Sequence, residues 1–405
     1  MWETVRTLLA AALAAAWCAA ACAGRVDGSW KGTLDVGTAA MPLVLNFNDG
    51  VCTLDSPEQG VYGVETFVTH NSGDSLRMAM PAIRATLTGT VVNDTLRATF
   101  TQFGMPFRIA FTKVTSTRRR PQTPLPPYPY DTEDVRFHNI PGGATLAGTV
   151  TYPEGWNGTD SITAVVLVTG SGQQNRDEEV FGHKPFLVIA DYLARHGVAA
   201  LRYDDRGTGQ STGDPANATT EDFMGDAAAA VDFLRAHGPF RRVGVIGHSE
   251  GGTIAFMLAA RGIPDFIVSM AGTAVRGDSA LLLQNMPALD TVSIDIAQVR
   301  DAVMVQANPW LNFFINYSPV NDIRAARCPV LALGGSRDTQ VNAKANIASV
   351  RNNLPHNPKS LAVIYPGLNH LFQNCKTGDI GEYVEIEETV SPEVLNDIAA
   401  WINGL

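Results

Sequence analysis

The sequence is short of charge, short of cysteine and almost without basic clusters, and each shortage removes a class of function. Only 17% of the 405 residues are charged and the formal net charge is −10, so no basic surface for nucleic acid is expected. The one basic run, Arg118-Arg119-Arg120, is short, abuts prolines and reads as a solvated segment end. Of five cysteines, Cys18 and Cys22 fall in an N-terminal leader, which leaves Cys52, Cys328 and Cys375. No Cys-x-x-Cys pair and no Cys/His cluster has metal spacing, so neither a metal nor a cofactor is expected. An odd number of thiols leaves at least one unpaired within the chain. Cys328 and Cys375 are open to pairing in an oxidising compartment; three inert thiols is the alternative.

The leader is the first positive feature. After Arg6 the chain carries no charge until Arg25, and the stretch between is mostly alanine. It reads as a secretory signal peptide over 1–23, with Ala21-Cys22-Ala23 as the small-x-small cleavage site. A permanent span needs about 20 strongly apolar residues and fits less well. A lipid anchor at Cys22 is a third reading. The expected location is therefore periplasmic or secreted, with a membrane-anchored lipoprotein as the alternative.

Beyond the leader, residues 24–115 read as a small all-β domain. "PLVLNF", "TLRATFTQF" and "FRIAFTKV" alternate apolar and polar residues, with Asp49-Gly50 and Asn93-Asp94 as turn residues. An antiparallel sheet or half-barrel is expected. Residues 116–130 contain five prolines and read as an extended linker. From 131 to 405 the pattern changes to buried strands, such as "ITAVVLV" and "RRVGVIG", alternating with helical segments. That alternation predicts a mostly parallel sheet covered by helices on both faces. A short helical cap is expected over about 274–327, with Met286, Met304, Trp310, Phe313, Phe314 and Tyr317 as pocket-lining or packing residues.

One turn in this domain has chemistry in it. Gly247-His248-Ser249-Glu250-Gly251 joins a strand to a helix and fits the G-x-S-x-G pattern in the context that gives it meaning. Side chains at the flanking glycines would collide with the neighbouring strand and helix, so the serine is held out at the sheet edge. A serine needs a base, and His370 lies just past a late buried strand on that same edge. His248 would point elsewhere; His196 and His237 suit helix C-termini. Asp338, at the end of "PVLALGGSRD", supplies the acid. Asp204 and Asp205 are competing acids but precede the nucleophile, and are expected to order their loop through Arg206. The backbone N–H of Glu250 is one oxyanion donor. Ser171 in "TGSGQQNRDE" is the second by position, with Gln173 as the alternative.

At "VLVTGSGQQNRDE", "LRYDDRGTGQSTG", "GHSEGG", "GGSRDTQV" and "PGLNHLFQ" the chain resembles the α/β-hydrolase superfamily over about residues 131–405. It is most similar to the bacterial branch related to serine aminopeptidases and monoacylglycerol lipases. Members with a β-rich N-terminal domain and a short cap are mostly carboxylesterases, and the resemblance implies the same here. It departs at Thr169-Gly170-Ser171-Gly172, where many relatives have His-Gly-x-Gly. The expected activity is cleavage of a small-molecule carboxylic ester by an exported serine hydrolase. An aminopeptidase or acyltransferase on the same three residues is the alternative, and a non-catalytic binding protein is a further one. Residues 276–327 hold no glutamate to bind a peptide amine, although they hold Asp278, Asp290, Asp295, Asp301 and Asp322; this argues mildly against peptides.

Overall fold

The computed structural model describes residues 26, 28–35, 40–48, 51–56, 61–72, 74–114, 120–285, 295–304 and 308–405. The leader lies outside this set, as do Asp49-Gly50 and Met286. Two compact units are present, residues 1–118 and 119–405.

The first unit is a closed up-and-down barrel of eight antiparallel strands. They are β1 (Gly28–Asp35), β2 (Ala40–Asn48), β3 (Val51–Ser56), β4 (Val61–Ser72), β5 (Ser75–Met80), β6 (Ala85–Val92), β7 (Thr95–Gln102) and β8 (Met105–Lys113). Alternation puts one apolar set inside: Leu43, Leu45 and Phe47 from β2, Leu76, Met78 and Met80 from β5, Leu96, Ala98 and Phe100 from β7. Trp30 fills the same core and its indole N–H donates to Val26 O at 2.7 Å. The half-barrel expected from sequence closes because β1 turns back onto β8, Trp30 pairing with Lys113 and Gly32 with Phe111. That pairing spans the whole unit, and no local pattern encodes it.

The second unit is built on an eight-stranded sheet in the order β16-β15-β14-β13-β11-β12-β10-β9. The strands are β9 (Thr132–Asn139), β10 (Ala144–Thr151), β11 (Ile162–Val168), β12 (Val198–Tyr203), β13 (Phe240–His248), β14 (Ile267–Met270), β15 (Val330–Gly335) and β16 (Leu361–Tyr365). Strands β11 to β16 run parallel; at one edge β10 pairs antiparallel with β12, and β9 pairs antiparallel with β10. Each face carries an apolar layer. On one side α2 (Thr220–His237) and α3 (Glu250–Ala260) supply Ala227, Val231, Ile254 and Phe256. On the other, α1 (Pro185–Arg195) and the last helix, Pro392–Asn403, supply Phe186, Ile189, Val394 and Ile398. Among the described residues between β14 and β15 lie four short helices, α4 (Gly277–Asn285), α5 (Ile296–Met304), α6 (Pro309–Asn316) and α7 (Val320–Ala325).

Two expectations need correction. Residues 120–130, read as part of a linker, are anchored to the second unit. Arg120 donates to the carbonyls of Ile386, Phe181 and Val384 at 2.8, 2.9 and 3.0 Å. Gln122 accepts from Thr389 N and Val390 N and donates to Val390 O at 2.7 Å. Tyr130 is buried and its hydroxyl donates to Asp191 Oδ1 at 2.8 Å. The prolines keep the segment extended, but its polar side chains stitch it down. Cys328 and Cys375 do not pair, and all three described cysteines are free. Cys328 precedes β15, whereas Cys375 follows β16. These parallel strands put the two thiols at opposite ends, and six residues of strand span roughly 20 Å, against about 6 Å between bridged Cα atoms.

Arg120→Ala removes three charge-assisted bonds and should lower the stability of the full chain by about 2 kcal/mol. Chemical denaturation measures this; a change near zero would make the segment a spacer after all.

Candidate active site

Strand β13 runs into helix α3 with a single residue, Ser249, as the helix N-cap. Ser249 has φ 53° and ψ −116°, a conformation that L-residues rarely adopt. The strain persists because the surroundings allow nothing else. A Cβ on Gly247 would lie 2.0 Å from Gly251 O, and one on Gly251 would lie 2.0 Å from Val168 O. Ser249 N donates to Met270 O at 2.8 Å, which ties the apex to the end of β14. The expected collision at both flanking glycines is what the structure has.

The other expected residues collect at the same sheet edge. Asp338 follows β15 and His370 follows β16. His370 Nδ1 lies 2.7 Å from Asp338 Oδ2, and the Asp338 side chain is fully buried. The second oxygen, Oδ1, accepts from Gln340 N and Val341 N, each at 2.8 Å. These three contacts orient the Asp338 side chain and, through it, the imidazole. The loop after β11 reaches Ser249 at Gly170, where an added Cβ would sit 3.1 Å from Ser249 Cβ. Gly170 N already donates to Glu178 Oε1 at 2.8 Å, so that amide is engaged. Ser171, the next residue, is exposed and is the first amide of this loop left for a ligand, and Glu250 N opens helix α3 on the other side.

Residues 184–310 match the family model described as Serine aminopeptidase, S33. The esterase EstD of Thermotoga maritima is 26% identical over 309 residues, 72% of each chain. The second unit has the mostly parallel sheet and flanking helices of an α/β-hydrolase core, and over residues 184–310 it is similar to that family. Solved structures with similar folds include the Pyrococcus furiosus esterase Pf2001, with TM-score 0.47 and 17% identity over 71% of this chain and 97% of that one. Another is Est1E of Butyrivibrio proteoclasticus with ferulic acid bound, with TM-score 0.47 and 18% identity over 67% of this chain and 98% of that one.

The second unit also buries acids to which the sequence motifs assign no catalytic role. Asp205 is 6% exposed and holds the loop after β11 twice, accepting from Thr169 Oγ1 at 2.7 Å and Gln174 N at 2.9 Å. Asp204 accepts from Arg176 N, Nε and Nη2. These aspartates do order a loop, but Arg206 is not the means. It pairs instead with Asp226, Nε to Oδ2 at 2.7 Å. Arg206 was the nearer cation in sequence; Arg176 is the nearer one in space. Glu250 turns its carboxylate into the protein, where Oε1 accepts from Thr220 Oγ1 at 2.6 Å and from Trp310 Nε1 at 2.7 Å. Trp310 therefore ties helix α6 to helix α3. Phe313 and Tyr317 pack on the apolar layer of the sheet instead. Glu178 has a carboxyl oxygen, Oε2, that is buried with no hydrogen-bond partner among the described residues. Its neighbour across Oε1 is His248 Nδ1, at 3.0 Å. The signal for these residues was present as "NRDE" and the second residue of the elbow, but neither spacing nor periodicity shows which acids face inward. No group of side chains among the described residues is arranged to hold a metal ion.

Burial pushes the Asp205 carboxyl up to about 8, and Glu178 and Glu250 add to the rise against the bonds from Thr169 and Gln174. The folded state therefore holds a proton that the unfolded state, near 3.8, releases. The stability this proton contributes is complete below about pH 4 and is lost as pH rises toward about 8. Asp205→Asn should flatten that slope. Chemical denaturation at pH 5 and pH 8 tests it; equal slopes in the two proteins would remove Asp205 as the source.

Proposed function

We propose that this chain is an exported serine esterase that cleaves carboxylic esters through an acyl-enzyme on Ser249. The observation that carries the reading is the strained elbow of Ser249 on the same sheet edge as the His370–Asp338 pair at 2.7 Å. In this reading His370 Nε2 takes the proton of Ser249 Oγ as the oxygen attacks the ester carbonyl carbon. The negative charge moves to the carbonyl oxygen, facing the N–H groups of Glu250 and Ser171. Collapse breaks the C–O bond, and His370 returns the proton to the leaving alcohol. Water, activated by the same nitrogen, then releases the acid and restores Ser249. Asp338 keeps the imidazole in the tautomer whose Nε2 is free to accept.

An ester is favoured over a peptide by the relative's esterase name and by the engagement of Glu250. The family model that matches residues 184–310 is named for an aminopeptidase, which would need a carboxylate turned to a substrate amine. The described carboxylate nearest the nucleophile in sequence, Glu250, instead receives two hydrogen bonds from the protein. Transfer of the acyl group to an alcohol is the second outcome of the same intermediate. Export rests on the alanine-rich leader, which lies outside the described residues.

The expected substrate pattern is turnover of p-nitrophenyl esters with little or no turnover of aminoacyl p-nitroanilides. Ser249→Ala and His370→Ala should each lose at least about 10³-fold in kcat with the fold intact. Asp338→Asn should lose on the order of 10⁴-fold if tautomer control works here as in serine proteases. Near wild-type turnover in Asp338→Asn, or preferential cleavage of the anilides, would contradict the assignment. For the leader, mass spectrometry of the native N-terminus should find Gly24 first, or a lipidated Cys22; an intact Met1 would contradict export.

A further inference from the structure

Behind the nucleophile two buried side chains form a link that the triad itself does not need. Glu178 is 3% exposed and sits at φ 51°, a left-handed conformation uncommon for glutamate. Its Oε1 accepts from Gly170 N at 2.8 Å and lies 3.0 Å from His248 Nδ1. His248 is 6% exposed, and its Nε2 lies 3.0 Å from the carbonyl oxygen of His370. The two imidazole rings are 4.7 Å apart between centroids. One unbroken chain of hydrogen bonds thus runs from the Gly170 amide through Glu178 and His248 to the backbone of His370. It starts in the oxyanion loop, passes through the residue before the nucleophile and ends on the base.

The proton count in this chain is constrained. A carbonyl oxygen only accepts, so His248 Nε2 carries a hydrogen. Oε1 of Glu178 already accepts from Gly170, and it is best placed to accept from Nδ1–H as well. Both ring nitrogens then donate and His248 is an imidazolium against a carboxylate. Burial pulls the imidazole down, but the charge and hydrogen bond of Glu178 outweigh it and the ring titrates above its ordinary value.

We propose that Glu178 and His248 are positioning residues that hold the oxyanion donor and the general base in register across Ser249. The proposal rests on the roles given above to Ser249, Ser171 and His370. The geometry says why both ends matter. With the Gly170 amide pinned, only the two backbone dihedrals of Gly170 separate the pin from the Ser171 N–H. With the His370 carbonyl pinned and its Nδ1 on Asp338, the imidazole is held from both ends. A misplacement of about 1 Å at such groups costs on the order of 100-fold in rate, while substrate contacts elsewhere are unaffected.

Glu178→Gln keeps the volume and an acceptor for Gly170. A neutral His248 then has one N–H for two acceptors, and the chain must break at one link. His248→Asn breaks it from the other side, and serves alone if the first variant does not fold. The burst of p-nitrophenol on mixing with an activated ester counts acylating sites, and steady-state turnover is then expressed per site. Each variant should lose about 10- to 100-fold in kcat per titrated site with KM within about twofold, and the double variant should lose no more than the worse single. A merely structural role would lower the number of titrated sites and leave kcat per site unchanged; that result overturns the proposal, as does additive loss in the double variant. A wild-type protein whose adduct forms anywhere but Ser249 instead sinks the triad reading, and this inference falls with it.

Discussion

The candidate site depends on one close approach of backbone to backbone. Helix α3 starts directly against the end of β11, with no room for a side chain at Gly247 or Gly251. That contact fixes where the helix begins, and so forces Ser249 into its left-handed geometry at the N-terminus. Any β-carbon at those positions would push the helix off the sheet by more than an ångström. The same contact brings the loop after β11 beside the serine, since Gly251 faces the backbone of Val168 and Gly170 faces Ser249 Cβ. Ser249, the loop after β11 and the helix end are therefore one packing solution, not three.

Around that contact the protein buries carboxylates with few cations. Glu178, Asp205 and Glu250 are each less than a tenth exposed. Asp205 and Glu250 are satisfied by neutral hydroxyl, indole or amide donors. Asp204, which also holds the loop after β11, has an arginine, Arg176. Neutral donors compensate a buried charge incompletely, which is why Asp205 and Glu250 titrate upward. Their gain is directional. Asp205 takes both its bonds from the loop after β11, and Glu250 takes one from helix α2 and one from helix α6, so the two acids tie these segments together beside the elbow.

What could be read beforehand followed from periodicity and from strand ends. In a parallel sheet every chemical residue must come just past a C-terminal strand end, and Ser249, Asp338 and His370 each stand there in the linear sequence. The pairing partners of buried polar groups could not be read, because they lie far apart along the chain. Arg120 finds its acceptors near residue 386, Asp204 finds Arg176 rather than the adjoining Arg206, and Glu178 finds His248. Barrel closure was hidden for the same reason: β1 and β8 meet across the whole unit. Strand β9 carries little apolar signal because "TEDVRFHN" buries only Val135, Phe137 and Asn139 and turns charge outward, as an edge strand does. The proline-rich stretch was legible in conformation but not in attachment.

The central claim is that Ser249 carries the acyl group. Rapid acid quench of the protein during turnover of an activated ester, followed by peptide mapping by mass spectrometry, tests it most directly. The account predicts an added mass equal to the acyl group, confined to the peptide that contains Ser249 and accumulating in His370→Ala-free wild type only while substrate lasts. An acyl group found on another residue, or hydrolysis at full rate with no adduct on Ser249 under conditions where release is slow, would contradict it.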